Sequence, residues 1–188
     1  MSRRKLTVDR AVERKTVFVQ QTAFLSMVLS SVEVFHHEAL GVVLGFAGEG
    51  QFVIEYAIPY QTARKGLSWV APRPRRVARI ERILEHHPVN VIGDFHSHTE
   101  LGDLKALCKP SSEDVADMEE EKVHLILALN ESKRRSPWIH MSDGRISGTL
   151  EGYRITMGAF YLKSGSRYRF KRGNIVCPSA TGIREAET

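Results

Sequence analysis

The chain has 188 residues, 42% of them hydrophobic, which is enough for one domain with a core and too few for two large ones. Its formal charge of +5 and pI near 9.4 keep nucleic acid open as a partner, while no apolar stretch is long enough to span a bilayer. Two cysteines, Cys108 and Cys177, make neither a disulfide framework nor a Cys-x-x-Cys zinc knuckle, so free thiols in a reducing compartment are expected.

In chain order, Met1-Ser2-Arg3-Arg4-Lys5 lacks the apolar core of a signal peptide, and a cytoplasmic location is expected. Thr22 to Phe35 reads as a helix. It gives way to an apolar, glycine-punctuated strand, Ala39 to Phe46. Gln51 to Tyr60 alternates and is rich in aromatic and β-branched residues, so it should pair with that strand across the Gly48-Glu49-Gly50 turn. Arg73 to His87 carries Val77, Ile80 and Leu84 among charges, which suits an amphipathic helix ended by Pro88. Val89 to His98 has the composition of a buried strand. Ser111-x-x-Asp114 after Pro110 has the form of a helix cap before a polar helix ending near Lys122. Val123 to Leu129 is a second buried strand, and Arg145 to Leu162 holds two strand-like runs broken by Gly148, Gly152 and Gly158. There is no internal repeat. The expectation is an α/β fold in one domain, with its core at about residues 20–162 and a basic extension over about 163–188.

The chemistry is concentrated in Ile92-Gly93-Asp94-Phe95-His96-Ser97-His98 and Pro110-Ser111-Ser112-Glu113-Asp114. Side chains alternate along a strand, so His96 and His98 share one face and can grip one ion. Catalytic zinc takes three His or carboxylate ligands and keeps a fourth position for water. His96, His98 and Asp114 would supply those three. Hydrolysis also needs a carboxylate that accepts the water's proton and hands it to the leaving group. Glu38, at the mouth of the Ala39 strand, is the candidate; its rival Glu33 falls inside the helix and lacks a glycine three residues later. Taken alone, Ser111 and Asp114 are more simply read as a helix cap, and it is His-x-His upstream that turns the reading toward a metal.

Together, Glu38-x-x-Gly41, His96-x-His98 and Pro110-Ser111-x-x-Asp114 resemble the motifs of the JAMM (MPN+) metalloproteases, the family of deubiquitinating enzymes and their prokaryotic relatives. The resemblance runs from about Thr22 to Leu129 and on toward Leu162. It implies a three-layer α-β-α sandwich around a mixed sheet, one zinc ion per chain on His96, His98 and Asp114, Glu38 as general acid/base and Ser111 as support for the oxyanion. It also implies isopeptidase or peptidase activity on conjugates of ubiquitin-like or small-modifier proteins. Two departures stand out. Twelve residues, Thr99 to Pro110, separate His98 from Ser111, a longer loop than is usual in the family, and position 99 is Thr where Pro is frequent.

Other residues have plainer readings. Cys108, in that loop, could reach the metal, but three ligands plus water already satisfy zinc. His36, His37, His86 and His87 suit surface positions at helix ends, and His124 and His140 suit core or edge positions in strands. The basic clusters at Arg3 to Lys5, Arg73 to Arg82, Lys133 to Arg135 and Arg167 to Arg172 fit solvated faces. The last interleaves aromatics with cations and would suit stacking on bases. An MPN-type scaffold without catalysis and a RadC-like nucleic-acid-associated protein are the alternative readings.

Overall fold

A computed structural model describes residues 14–61, 63–65, 70–163, 165–166 and 168–183. The Arg3 to Lys5 cluster and, in the basic extension, Arg167 and residues 164 and 184–188 lie outside these residues. The chain begins with β1 (Thr16–Val19) and α1 (Gln21–Glu33), followed by the hairpin β2 (Leu40–Ala47) and β3 (Gln51–Pro59). After a small two-stranded pair, β4 (Arg64–Lys65) and β5 (Val70–Ala71), come α2 (Pro74–Leu84) and β6 (Asn90–Thr99). Next are α3 (Ser112–Asp117), β7 (Val123–Glu131), β8 (Ile139–His140), β9 (Ile146–Leu150) and β10 (Tyr153–Leu162). The described chain closes with β11 (Phe170–Arg172), β12 (Asn174–Val176) and α4 (Pro178–Thr181).

The large sheet runs β12-β1-β3-β2-β6-β7-β10-β9-β8, with β11 also paired to β10. Strands β2 and β6 are antiparallel, whereas β6 and β7 are parallel and joined through α2's successor α3. Strand β10 pairs with β9 over its first half and with β11 over its second. Only Gly173 separates β11 from β12, which pairs with β1 at the far end of the sheet. The sheet therefore curls almost to closure, and this is why a mixed α/β chain with few helices has a barrel-like sheet.

The concave side holds the main core. Helix α1 turns Ala23, Phe24, Met27 and Val28 inward at helical spacing. They pack on Val43, Ile54, Phe95, Leu125 and Leu127, and Phe24 meets Trp138 edge to face at 5.1 Å. Each such buried side chain contributes about 1.5–3 kcal/mol. Alternation then sends Asp94, His96 and His98 of β6, and His124, Ile126 and Ala128 of β7, to the opposite side.

That opposite side is only partly covered by helices. Helix α2 buries no residue of its own and leans on Val42, Leu44 and Val89 through Leu84. The segment after β6 covers the rest, packing Cys108 and Met118 on Ile126, Ala128, Phe160 and Leu162. The mixed α/β class holds; of the expected second helical layer, loop takes a large share.

The hairpin and the strands around His96 and Val123 lie where expected, and the helix expected over Arg73 to His87 forms over Pro74–Leu84, stopping before it reaches Pro88. Other expectations differ as well. The polar helix expected to reach Lys122 stops at Asp117, because Met118 turns extended (φ −63, ψ 133) and buries its side chain. Of the three glycines expected to break strands, only Gly152 lies in a turn, at φ +83. Gly148 lies within β9 because the Trp138 ring occupies the place of a Cβ, 2.4 Å away. Gly158 lies within β10 under the Cys108 sulfur.

Candidate metal centre

Strand β6 presents His96 and His98 side by side, with Nε2 atoms 3.0 Å apart. Asp114 comes from the first turn of α3, its Oδ1 3.3 Å from His96 Nε2 and its Oδ2 3.6 Å from His98 Nε2. The ligand atoms of the three residues all lie within 4.8 Å of one another. A tetrahedral zinc with bonds of about 2.0–2.1 Å requires donor separations of about 3.3–3.4 Å. The imidazole nitrogens stand somewhat closer than that and Asp114 turns a different oxygen to each of them, so small adjustments of these side chains would let the three residues hold one ion.

Protonation supports the same fit. His98 Nδ1 lies 2.9 Å from the Leu107 carbonyl, so it carries the hydrogen and donates. In the neutral ring, Nε2 then turns a lone pair toward His96 and Asp114, the orientation a metal ligand needs. In the metal-free protein burial opposes a charge on His98. Its hydrogen bonds to Asp114 and the Leu107 carbonyl outweigh that and raise its pKa above the ordinary 6.5. Burial likewise pushes Asp114 up, but the hydrogen bonds with His96 and His98 hold its carboxyl far below the usual carboxylate range.

The helix cap expected at Ser111 and Asp114 is formed, and it leaves Asp114 beside the imidazoles. Ser111 Oγ accepts the Asp114 N–H at 3.0 Å, and Asp114 Oδ2 accepts the Ser111 N–H at 2.7 Å, a complete capping box. The cap fixes the carboxylate while Oδ1 faces the imidazoles. Since Ser111 Oγ receives that bond, its own hydroxyl hydrogen is free to donate into the cleft.

Glu38 reaches the site by register. Leu40 pairs with His96 across β2 and β6, and the Ala39 N–H donates to Ser97 Oγ at 2.8 Å while the Ser97 N–H donates to the Ala39 carbonyl at 3.0 Å. Two residues before Leu40, Glu38 therefore falls opposite His98 on the same face. The glycine of Glu38-x-x-Gly41 has a steric cause, since a Cβ at Gly41 would meet the Ile58 carbonyl at 2.3 Å and the Phe95 ring at 2.4 Å. Burial raises the Glu38 pKa, the two imidazoles oppose this and Asp114 adds to it, with a net upward shift from 4.5. A half-buried carboxylate held that way is suited to accepting a proton. Glu33 ends α1, exposed and outside the cleft.

All five residues line one cleft of about 820 Å³ that runs from the donor set beneath α2. Among its described lining residues, eight are Asp or Glu and one, Lys122, is basic; Lys122 is turned to the Val91 carbonyl. A chain of +5 overall thus has an acidic cleft, a field that concentrates cations.

Cys108 stays out of the site. It is buried, bonded to the Ile126 carbonyl, and its thiol is pushed up to about 12 by burial. His140 accepts the Cys177 N–H at 3.0 Å. In the basic C-terminal segment, Phe170 packs on Phe160, and Arg172 pairs with Asp143 at 3.0 Å. Sequence reasoning missed Asp94 and His124, which also line the cleft and bond to each other at 2.8 Å. The available signal was a single polar residue in the apolar run Val123 to Leu129, because a buried imidazole needs partners.

The family described as prokaryotic homologs of the JAB domain matches residues 20–140. Among solved structures, a protein of Desulfitobacterium hafniense determined in solution is similar at 15% identity and a TM-score of 0.59, covering 86% of this chain and 92% of that one. A solution structure from Salinibacter ruber is 18% identical over 85% of this chain and 90% of that one, with a TM-score of 0.48. At these identities the first likeness concerns the fold alone. No curated protein is significantly similar to the chain. None of the described helices is long and apolar enough to cross a membrane.

Proposed function

Since the chain belongs to the family of prokaryotic homologs of the JAB domain, we propose that it is a zinc-dependent peptidase or isopeptidase acting on amide bonds to ubiquitin-like or small-modifier proteins. The family includes catalytic JAMM peptidases and non-catalytic members. What favours catalysis is one observation: three donors close enough to hold one ion share a cleft with a half-buried carboxylate at the mouth of the facing strand.

His96, His98 and Asp114 would hold the ion, and a bound zinc would supply the Lewis acidity that activates water and the scissile carbonyl. Glu38 takes the water's proton and returns it to the leaving amine, which is general base and then general acid work. The free Ser111 hydroxyl hydrogen donates to the oxygen on which charge develops. The Leu107 carbonyl keeps His98 in the tautomer that ligation requires. Asp114 is held by its cap, so it needs little rearrangement to ligate.

The test is metal content of the purified protein by mass spectrometry, followed by hydrolysis assays on modifier conjugates. About one zinc per chain with amide cleavage is expected, and His96→Ala should lose both. A wild-type protein that takes up no zinc from excess metal would refute the reading and favour the scaffold alternative.

A further inference from the structure

Among the residues of β7 from Val123 to Leu129, only His124 is polar, and it is 5% exposed. Both of its ring nitrogens are used. Nε2 accepts the Glu119 N–H at 3.3 Å, so the hydrogen sits on Nδ1, which donates to Asp94 Oδ2 at 2.8 Å. Asp94 is the register partner of His124 and lies two residues before His96 on the same face of β6.

Glu119 is the second residue after α3, the helix that presents Asp114. Helix α3 has six residues and no buried side chain, so packing along its length cannot fix it. It is held at its ends. At the start are the capping box and buried Pro110. At the finish are the buried Met118 side chain and the bond from Glu119 to His124. Lys122 ties the same connection to β6 by donating to the Val91 carbonyl at 2.6 Å.

We propose that His124 is a positioning residue of the metal centre: it anchors the end of α3 to the strand that carries His96 and His98, and so sets Asp114 against the two imidazoles. Asp94 holds His124 in the tautomer whose Nε2 can accept from Glu119. This inference rests on the reading of the three donors as a metal site. It gives a reason for a buried polar residue in a strand that would pack as well with an apolar one.

The experiment measures zinc affinity by chelator competition, and the visible spectrum of the cobalt-substituted protein, for wild type, His124→Phe and His124→Gln, with thermal unfolding of each metal-free protein alongside. His124→Phe keeps an aromatic ring, somewhat larger than the imidazole, and loses both hydrogen bonds. It should weaken zinc binding about 10–100-fold, the usual cost of losing a group that orients a ligand, and alter the cobalt bands. His124→Gln can place its carbonyl oxygen where Nε2 accepts, and should restore affinity toward wild type. Should His124→Phe not fold, Asp94→Ala, which leaves His124 present but unheld, should also weaken binding. Wild-type affinity and unchanged cobalt bands in a folded His124→Phe or Asp94→Ala protein would overturn the positioning role while leaving the metal centre intact. Failure of the wild type itself to bind zinc or cobalt would overturn both.

Discussion

Glu38→Gln separates proton transfer from metal binding, because the amide is nearly the same size, cannot ionise, and replaces none of the three donors. A well-placed general acid/base contributes about 10²–10⁴ in rate, or about 3–5 kcal/mol of barrier at about 1.36 kcal/mol per tenfold. Both proton transfers pass through one residue, so kcat/KM should fall into that range with zinc stoichiometry unchanged. The same substitution acts on stability with a defined sign. The Glu38 pKa is raised in the folded chain above 4.5, mainly by burial. The stability linked to its proton is therefore fully present below pH 4.5 and is lost as pH rises through the folded value. At neutral pH the ionised side chain costs the metal-free protein stability, and glutamine escapes that cost. Metal-free Glu38→Gln should thus unfold at a higher temperature than wild type at pH 7, with the difference shrinking toward pH 4. Paired measurements of kcat/KM, zinc content and unfolding temperature with and without chelator check all three. Wild-type turnover in the fully loaded variant would remove Glu38 from the mechanism, and an unfolding temperature below wild type at pH 7 would contradict the burial argument.

Ser111→Ala removes the cap acceptor and the hydroxyl donor together, so it should cost about 1 kcal/mol of stability and lower kcat about 10²–10³-fold, with zinc retained; chemical denaturation and turnover assays read the two effects separately. Zinc loading should fall as pH drops through the His98 pKa, which lies above 6.5, because ligation requires the neutral ring; competition titrations between pH 5 and 8 would show it, and a flat profile would contradict the assignment. In the metal-free protein the sign reverses, and the His98 contribution to stability is present below pH 6.5 and lost above the raised value. Gly93→Ala should destabilise the fold by about 3 kcal/mol or more, since its Cβ would stand 1.7 Å from the Val123 carbonyl oxygen across β6 and β7; unfolding near wild-type denaturant concentration would show that the two strands can part at no cost.

What could be read from the sequence is what depends on neighbours along the chain. Alternation alone puts His96 and His98 on one face, and Ser-x-x-Asp alone makes the cap, so the donor set was legible before any tertiary structure. Glu38 was legible for a related reason. It precedes a strand by two residues, and an antiparallel neighbour reads it across at a fixed register. The rest depends on contacts between distant segments, for which composition has no period. Thr16–Val19 is too short to announce itself as a strand and becomes one by lying between β3 and β12. The basic, aromatic run ending at Arg172 reads from composition as a solvated edge strand or tail, and only its pairing shows that Phe170–Arg172 is recruited to β10 and helps close the sheet. Helix α3 ends early because Met118 finds an apolar cluster assembled from β7 and β10. His124 follows the same logic in reverse. By its neighbours it reads as an anomaly in an apolar strand, and only the register with Asp94 and the return of the chain at Glu119 give its two nitrogens partners. The ligands of such a site can be written locally, whereas the groups that hold the ligands still are distributed over the fold. A sequence search on the motif alone will therefore recover members with the donors in place and miss whether their supports remain.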